Sequence, residues 1–555
     1  MSYTADFETT VDPEDCRVWA WAITEIGNVS NFKYGNSLEE FMSLIETMPN
    51  DTYYFHNLRF DGEFILYYLL KNGYEYVKNK KNLYTKSFSC LISDKNVFYT
   101  LEICFYRKGD IIKKVTIYDS LKILPFSVKE IAQAFRLPMQ KLEIDYKAKR
   151  EIGHKLTIEE IEYIKGDVTI VALALETIFN QGLTKMTQGS NALSDFKKIT
   201  GKKSFSRYFP IPKYDADVRQ SYKGGFTYLN PKFKNKVLGE GIVLDVNSLY
   251  PSVMYYNDMP YGEGVFFEGE YKKDEKYNLY VQMFSCQFEL KAGRIPTVQL
   301  KNNLRFVPTE YLTSSNGEYI TMCMTCVDLK LFFEQYDVYD ITYHSGWKFK
   351  STNTLFREYI DKWMKVKIES TVNGNYPMRT LAKLMLNSLY GKFALNPNVQ
   401  GKIPYLKDDI VKYKLGEKET RDPIYIPVGT FITAWARNKT IRSAQQVYER
   451  FIYADTDSLH LLGTELPDNL EISPTELGAW KHESTFTKAK YLRQKSYIEE
   501  INGELHITCA GMPQSCYQYV TFDNFKYGNS FEGKLKMTHQ KGGIVLMESP
   551  HTLKE

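Results

Sequence analysis

The sequence predicts a multidomain protein of mixed α+β and α/β character, and three observations carry that prediction. Its 555 residues exceed a single domain and suit three or four compact units. Short apolar runs that read as strands, at Tyr3–Thr9, Asp51–His56 and Gly241–Leu244, alternate with helical stretches at Thr157–Phe179 and Arg379–Lys392. Several of these elements carry closely spaced carboxylates, a costly arrangement that needs an offsetting reason.

Hydrophobic residues make up 43% of the chain and charged residues 25%, ordinary for a globular protein. The longest apolar run, Phe64–Leu70, is too short to span a bilayer, and no charged-then-apolar signal segment opens the chain. A cytoplasmic protein without membrane partners is therefore expected. Eight scattered cysteines suit a reducing compartment. Cys323 and Cys326 form a C-x-x-C that lacks the second ligand pair zinc needs, so they read as ordinary thiols. Net charge is +4 but uneven: the first fifty residues carry nine acidic and two basic side chains, leaving +11 on the remainder. Basic clusters at Lys78–Lys81, Lys197–Arg207, Lys223–Lys236 and Lys481–Lys495 are interleaved with Tyr and Phe, as in a groove that tracks a phosphate backbone beside stacking rings. Solvated faces explain any one cluster; their number favours nucleic acid modestly.

In the amino-terminal third, strand alternation puts Asp6 and Glu8 on one face. A second strand, Asp51–His56, leads through Asn57 and Phe60 to Asp61, with a helix beginning at Gly62 and Phe64. Thr157 and Glu160 form a capping box for a helix to Phe179, on which Tyr163 and Asp167 share a face. Four carboxylates from separate elements, with a tyrosine beside the last, suit two cations about 4 Å apart that activate water against a phosphodiester. The three segments resemble, in order, the Exo I, Exo II and Exo III motifs of the proofreading 3′–5′ exonucleases attached to DNA polymerases. That resemblance implies metal ligation by Asp6, Glu8, Asp61 and Asp167, with Glu143 as a further acidic residue near the metal, and Tyr163 orienting the attacking water. It also implies a grip on frayed single-stranded DNA by Thr9, His56, Asn57, Phe60, Ser120, Leu121, Lys141 and Tyr146. Phe60 and Tyr146 can stack on bases and Lys141 can meet a phosphate; His56, without its motif, would read as a satisfied core histidine.

Further on, Tyr222-Lys-Gly224-Gly225 follows a basic, loop-rich stretch, and its paired glycines allow close backbone approach and positive φ. Gly241–Leu244 has the apolar continuity of a strand covered on both faces and ends on Asp245. On the helix Arg379–Lys392, Arg379, Lys383, Asn387 and Tyr390 lie within about 80° of one another, opposite Leu381, Leu384, Met385 and Leu389. A polar stripe with two cations can grip a triphosphate; an amphipathic surface helix is the alternative. Ile452–Ala454 and Ser458–Leu462 read as a hairpin with Asp455 and Asp457 at its tip. Taken alone, a surface Asx-turn and a cation site stand level there.

Asp245-Val-Asn-Ser-Leu-Tyr250-Pro251 and the Lys383–Gly391 string are similar to Motifs A and B of family B DNA polymerases, and Lys495-Ser-Tyr497 to their Lys-x-Tyr motif. Over nearly the whole chain the order of motifs resembles the φ29-type bacteriophage protein-primed subgroup. The resemblance implies a ribonuclease H-like 3′–5′ exonuclease domain (1–187) and a right-hand polymerase. Its palm would be 188–256 and 426–511, its fingers 355–394 and its thumb 512–555. An insertion at 257–354 would dock a terminal protein, and another at 395–425 would serve strand displacement and processivity. It implies two Mg²⁺ per active site, with Mn²⁺ able to substitute, held mainly by Asp245 and Asp457, with the Val246 carbonyl as a further ligand and Asp455 as either a looser ligand or an orienting charge. Lys367, Arg379, Lys383, Asn387 and Tyr390 would meet the dNTP. Tyr250 would exclude a 2′-hydroxyl. Tyr222, Gly224, Gly225, Gly391, Lys392, Lys495 and Tyr497 would contact DNA. Implied partners are template and primer DNA, dNTPs, a terminal protein that supplies the priming hydroxyl, and single-stranded DNA-binding protein, in a host bacterial cytoplasm. Nucleic-acid-only priming, an RNA polymerase and a catalytically degenerate DNA-binding scaffold are the alternatives. The last two are disfavoured by Tyr250 and by the full carboxylate set. The chain has no G-x-x-x-x-G-K-[ST] loop, so ATP-driven unwinding is not expected.

Overall fold

The strand Ser2–Thr9 lies inside an eight-stranded sheet, antiparallel to Val18–Glu25 and parallel to Thr52–Phe55. This computed structural model describes residues 1–300, 307 and 309–555. The sheet continues through Ile111–Asp119, Phe98–Lys108, Ser87–Ile92 and Glu75–Tyr76, with Asn28–Gly35 at the opposite edge. Its parallel step is made possible by the crossover helix Leu38–Thr47, since parallel neighbours need a long connection. The next helix runs Leu58–Lys71, starting ahead of the expected Gly62, because Asn57 sits in the left-handed region (φ 73°) and turns the chain directly into it. The helix Ile158–Phe179 forms as its capping box dictates: the Thr157 hydroxyl accepts from Glu160 N–H, and the Glu160 carboxylate accepts from Thr157 N–H. It packs across the first two strands.

The stretch after it, expected to be loop-rich, is instead mostly helical, in Gln188–Thr200, Lys202–Tyr208 and Asp215–Arg219. Phe196 and Phe209 bury themselves there against Phe356 and Phe393, with Phe205 packed on both. The lysines between them face outward, so the basic composition hid an amphipathic pattern.

The central sheet is antiparallel and five-stranded, in the order Trp480–Phe486, Gly241–Val246, Ser458–Leu462, Phe451–Asp455, Thr227–Leu229. Ile242, Val243 and Leu244 are buried, as their apolar continuity requires. Behind it runs the buried helix Ile426–Gln446. A four-stranded sheet of Met259–Glu268, Leu279–Leu290, Ile320–Thr325 and Tyr336–Thr352 fills most of the expected insertion at 257–354, of which residues 301–306 and 308 lie outside the described residues. It contains a helix, Cys326–Gln335, capped by Thr325. Asp328 on that helix holds Arg437 of the long helix at 2.7 Å, and Arg437 also donates to the carbonyls of Lys223 and Gly224 at 2.7 and 2.8 Å. Cys323 and Cys326 are free thiols.

The antiparallel helices Arg357–Val372 and Tyr376–Ser388 carry the cationic face. The expected continuous helix to Lys392 is interrupted at Leu389 and resumes as Tyr390–Phe393. A hairpin, Asn398–Lys407 with Ile410–Thr420, lies against the amino-terminal unit: Lys78 pairs with Glu417 and Glu419, and Tyr413 O–H donates to the buried Glu63 at 2.8 Å. The chain closes with a hairpin of Ser530–Gln540 and Gly543–Thr552. Among the described residues no helix is long and apolar enough to cross a membrane.

Thr157→Ala removes one half of the capping box. It should cost about 1 kcal/mol of stability, read as a lowered urea midpoint for the amino-terminal unit by the fluorescence of nearby Trp19; an unchanged midpoint would count against the cap.

Candidate active sites

Two carboxylate sites emerge, one at the end of each major sheet. In the amino-terminal unit, Asp6 and Glu8 come from one face of Ser2–Thr9, and Asp167 is delivered by the helix packed across it. One oxygen of each lies within 4.8 Å of the others. Asp61, in the first turn of Leu58–Lys71, is buried beside them. Burial, reinforced by the neighbouring charge of Asp167, pushes Asp6 up to about 7. Burial followed by the charge of Asp6 drives Glu8 and Asp61 well above the usual carboxylate range. Burial raises Asp167 too, against the pull of Lys141. Among the described residues the buried Asp61 Oδ1 and Asp167 Oδ1 have no hydrogen-bond partner. Like charges in mutual contact, with unpaired buried oxygens, are a donor set that a hard divalent cation satisfies. The residues therefore fit a metal.

Glu143, expected near the metal, is exposed on the loop and is not one of the three carboxylates that share this cluster. Tyr163 does face the cluster. Lys141 bonds both Asp167 and the Tyr163 hydroxyl (3.2 Å), and Tyr146 shares a 2.6 Å hydrogen bond with that hydroxyl. Lys141 is thus engaged with a carboxylate: burial acts to lower its pKa, but the charge and hydrogen bond of Asp167, with Tyr146 and Asp6, together raise it. Both ring nitrogens of His56 are taken internally, by Ser120 Oγ at 2.9 Å and the Phe126 carbonyl at 2.6 Å, and burial pushes its pKa down. Asn57 and Leu121 each donate a backbone N–H to Asp119 Oδ1 at 3.0 Å. Asp119, which the sequence reading passed over, thus ties these segments together; its signal was an Asp capping the turn at Ser120–Lys122. Phe60 is half-buried against Phe64, and Thr9 ends its strand at a register shift, while Tyr146 is exposed.

In the central sheet the register builds the second site. One lateral row runs Lys481, Asp245, Ser458, Asp455, Thr227 across its five strands. Directly opposed residues share a face, so Asp245 and Asp455 are brought to the same end of the sheet. The hairpin tip is a three-residue turn closed by Asp457 N–H to the Asp455 carbonyl at 2.7 Å, with Thr456 at φ 59°. Positive φ is costly for a β-branched residue, and this sense of γ-turn is rare and strained. The surroundings hold it: Thr456 N–H donates to the Phe226 carbonyl at 2.7 Å, and Thr440 Oγ1 donates to the Thr456 carbonyl at 2.7 Å. A Cβ on Gly225 would lie 2.4 Å from Thr456 Oγ1, so Gly225 is required for this approach. Here the sequence reading is corrected again: neither Gly224 nor Gly225 adopts positive φ, and the close approach is to the hairpin tip. The Asp457 carbonyl accepts from Val246 N–H at 2.8 Å, clamping the tip to the Asp245 strand.

Burial, then the charge of Asp457, pushes Asp245 up to about 6; burial raises Asp457 as well. Asp455 differs. Lys495 Nζ reaches both of its oxygens at 2.9 and 2.7 Å, and Thr227 Oγ1 donates to it at 3.0 Å. Of the two readings left open for Asp455, the orienting charge fits this engagement. Lys495 N–H in turn donates to the Tyr453 hydroxyl at 2.9 Å, and Tyr497 stacks on Tyr491 behind it. These groups open on a cleft of about 420 Å³ lined by Asp245, Asp455, Asp457, Glu483 and Tyr497.

Above the cleft, Lys383 and Asn387 are exposed and Arg379 and Lys367 half-buried, while Leu381, Leu384, Met385 and Leu389 are buried as expected. Tyr250 and Tyr390 stack with centroids 4.0 Å apart. Burial, then the hydroxyl of Tyr390, raises the pKa of Tyr222. Gly391 has open space around it, and Lys392 donates to Ser190 Oγ at 3.0 Å.

Comparison with known proteins follows from this geometry. The family described as DNA polymerase type B, organellar and viral, matches residues 46–157 and 150–474. The DNA polymerase of Bacillus phage M2 is 48% identical over 100% of this chain and 99% of its own. That of Streptococcus phage Cp-1 is 34% identical over 100% and 98%. A solved structure of Phi29 DNA polymerase with primer-template DNA and incoming nucleotide substrates is 47% identical, covers both chains fully and superposes with a TM-score of 0.94.

The raised carboxylates fix a sign for the metal-free protein. A group whose pKa is higher folded than unfolded stabilises the fold at low pH and loses that contribution as pH rises through the folded value. Melting in EDTA should therefore occur at a lower temperature at pH 8 than at pH 5, across the window from the ordinary carboxylate value to about 7 set by Asp6. Asp61→Asn should narrow the difference by raising the pH 8 midpoint; equal wild-type and variant profiles would contradict the electrostatic account.

Proposed function

This chain belongs to the type B DNA polymerases of organelles and viruses and is a DNA-directed DNA polymerase; from that premise we propose a replicative phage enzyme with two sites, one extending DNA and one editing it. The observation that carries the reading is the register that sets Asp245 against the Asp455–Asp457 tip beneath a cationic helix face. Synthesis is in-line attack of the primer 3′-oxygen on the dNTP α-phosphorus: the new O–P bond forms, the α–β bridging O–P bond breaks and pyrophosphate leaves. Asp245 and Asp457, with the Val246 carbonyl, would hold two divalent ions, taken here as Mg²⁺ with Mn²⁺ able to substitute. Bound there, the ions supply charge neutralisation of the reacting phosphoryl oxygens. Lys383, Arg379 and Lys367 orient the triphosphate, and Asn387 and Tyr390 check the base pair. Tyr250, pressed on Tyr390, leaves no space for a ribose 2′-hydroxyl. Lys495 holds Asp455 in place and, with Tyr497, steadies the primer end.

The Asp6, Glu8, Asp61 and Asp167 cluster supports a 3′–5′ exonuclease. There Lys141 and Tyr146 hold the Tyr163 hydroxyl toward the attacking water, and Thr9, Phe60 and Asn57 receive the frayed strand. His56 and Ser120, bonded to each other, brace that pocket from behind. The domain limits given under Sequence analysis stand as our assignment, with 257–354 docking a terminal protein, 395–425 opening the downstream duplex, and Tyr222 to Gly225, Gly391 and Lys392 following the template. Single-stranded DNA-binding protein is a further partner, and the host cytoplasm the site of action. A structure of the Phi29 polymerase with primer-template DNA, from a protein 47% identical to this chain, supports a duplex in the cleft.

Asp457→Ala should reduce primer extension by at least a thousandfold and leave degradation of single-stranded primer intact, while Asp6→Ala with Asp61→Ala should do the reverse. Extension by the first variant at the wild-type rate would refute the site assignment. Priming is tested by mixing the enzyme, each dNTP in turn and the candidate terminal protein from the same genome. A covalent protein–nucleotide product is expected, and its absence with all four would leave nucleic-acid priming as the reading.

A further inference from the structure

The two carboxylates of the row across the central sheet are each met by a cation, Asp455 by Lys495 towards one end and Asp245 by Lys481 at the other, and only the first cation is accounted for. Lys495 spends its charge on both oxygens of Asp455. Lys481, at the other end, lies directly opposite Asp245. Residues so paired have Cβ atoms about 5 Å apart on one face, so Lys481 rises from the sheet beside the carboxylate that anchors the polymerase site. Its ion-pair partner among the described residues is Glu483, at 3.3 Å, with both side chains about half exposed. A pair so exposed contributes little and does not fix where the ammonium points.

The other cations near it are Lys367, Lys383 and Arg379. Beyond the effect of burial, Lys367 is depressed by Lys383, Arg379 and Lys481, and Lys383 by Arg379 and Lys481. Two helices and one sheet strand therefore aim four positive side chains into one region. Glu483, which raises Lys383, and Asp245, whose carboxylate Lys481 stabilises, partly offset them. Among the described residues the buried Arg379 Nε has no hydrogen-bond partner. Four cations against these two carboxylates leave an excess of positive charge, and a polyanion relieves it.

We propose that Lys481 is a fourth triphosphate-binding residue, gripping the β- and γ-phosphates of the incoming nucleotide from the sheet side, opposite Lys367 and Lys383 on the helices. The inference rests on the polymerase reading of the Asp245 site and assigns that site a residue which the carboxylate and helix motifs do not contain. The helix cations approach the phosphates from one side. Lys481, seated beside Asp245, approaches from the other and closes the cage near the reacting centre. Because its contact is to phosphate, it is indifferent to the base.

Steady-state extension of a short primer-template with each dNTP tests this. Lys481→Ala should raise the KM for all four dNTPs about tenfold, with kcat within twofold of wild type and the Kd for primer-template unchanged. Lys481→Arg should recover most of the loss, and Lys481→Gln should not. Inhibition by inorganic tripolyphosphate, which carries no base or sugar, should weaken in parallel in Lys481→Ala and Lys481→Gln. If wild type extends the primer and Lys481→Ala keeps the wild-type KM, the inference is overturned. It is equally overturned if kcat falls with KM unchanged, or if DNA affinity falls while KM for dNTP holds. Failure of wild type itself to extend would instead remove the polymerase reading. A Tm within 2 °C of wild type for the Arg and Gln variants is the folding check, and they carry the test if the Ala variant misfolds.

Discussion

Repulsion between carboxylates is the constraint on which this molecule turns. Asp6, Glu8, Asp61 and Asp167 in one unit, and Asp245 with Asp457 in the other, are held together at sheet ends where burial raises the cost of each charge. No local gain of the chain offsets this. The fold must instead pin the acids of each site from more than one element, so that none can move away. A mixed eight-stranded sheet crossed by a capped helix does so in the amino-terminal unit, and a five-stranded antiparallel row in the central one. What makes the arrangement worthwhile is a divalent cation, whose affinity is set by how little the carboxylates can relax in its absence.

The lysines show how each site keeps its acids usable. Lys141 takes Asp167 and, through the same ammonium, the Tyr163 hydroxyl; Lys495 takes Asp455 with both oxygens. In each case one carboxylate of the group is neutralised and oriented while its neighbours stay open. A resident ammonium thus divides labour among acids that are alike in sequence. Asp455 and Asp457 are two residues apart, yet one is bound up and the other faces the cleft.

Rigidity around the hairpin tip is the second device. Thr456 is held in a left-handed conformation by Phe226, Thr440 and the space left by Gly225. Arg437 fixes the carbonyls just before Gly225 and anchors itself on Asp328. Strain at Thr456 is thereby stabilised by contacts far apart in sequence, and the four-stranded sheet unit that carries Asp328 is mechanically joined to the hairpin that carries Asp457. An event at that unit has a short physical route to Asp457: helix Cys326–Gln335, Arg437, the Tyr222–Gly225 segment and the tip.

Much was legible in the sequence because local rules governed it. The capping box at Thr157 and Glu160, the alternation at Asp6 and Glu8, the two-sided apolar strand before Asp245 and the polar stripe from Arg379 to Asn387 are all set within a few residues. What failed to show was decided by contact at a distance. The helices between Gln188 and Arg219 declare themselves only when Phe196 and Phe209 meet Phe356 and Phe393. Glu143 reads as an acid near a metal, but the loop carries it into solvent. Gly225 reads as a residue that permits positive φ or a close approach, and only the packed hairpin reveals that it is small so that Thr456 can pass. Lys481 reads as one lysine in a basic cluster; strand register, which no local pattern of this segment encodes, sets it opposite Asp245. The sequence by itself determined which residues carry chemistry, because charge and periodicity are local properties. Tertiary structure alone decided which of them are free to act, because that depends on the partners brought to each from elsewhere in the chain.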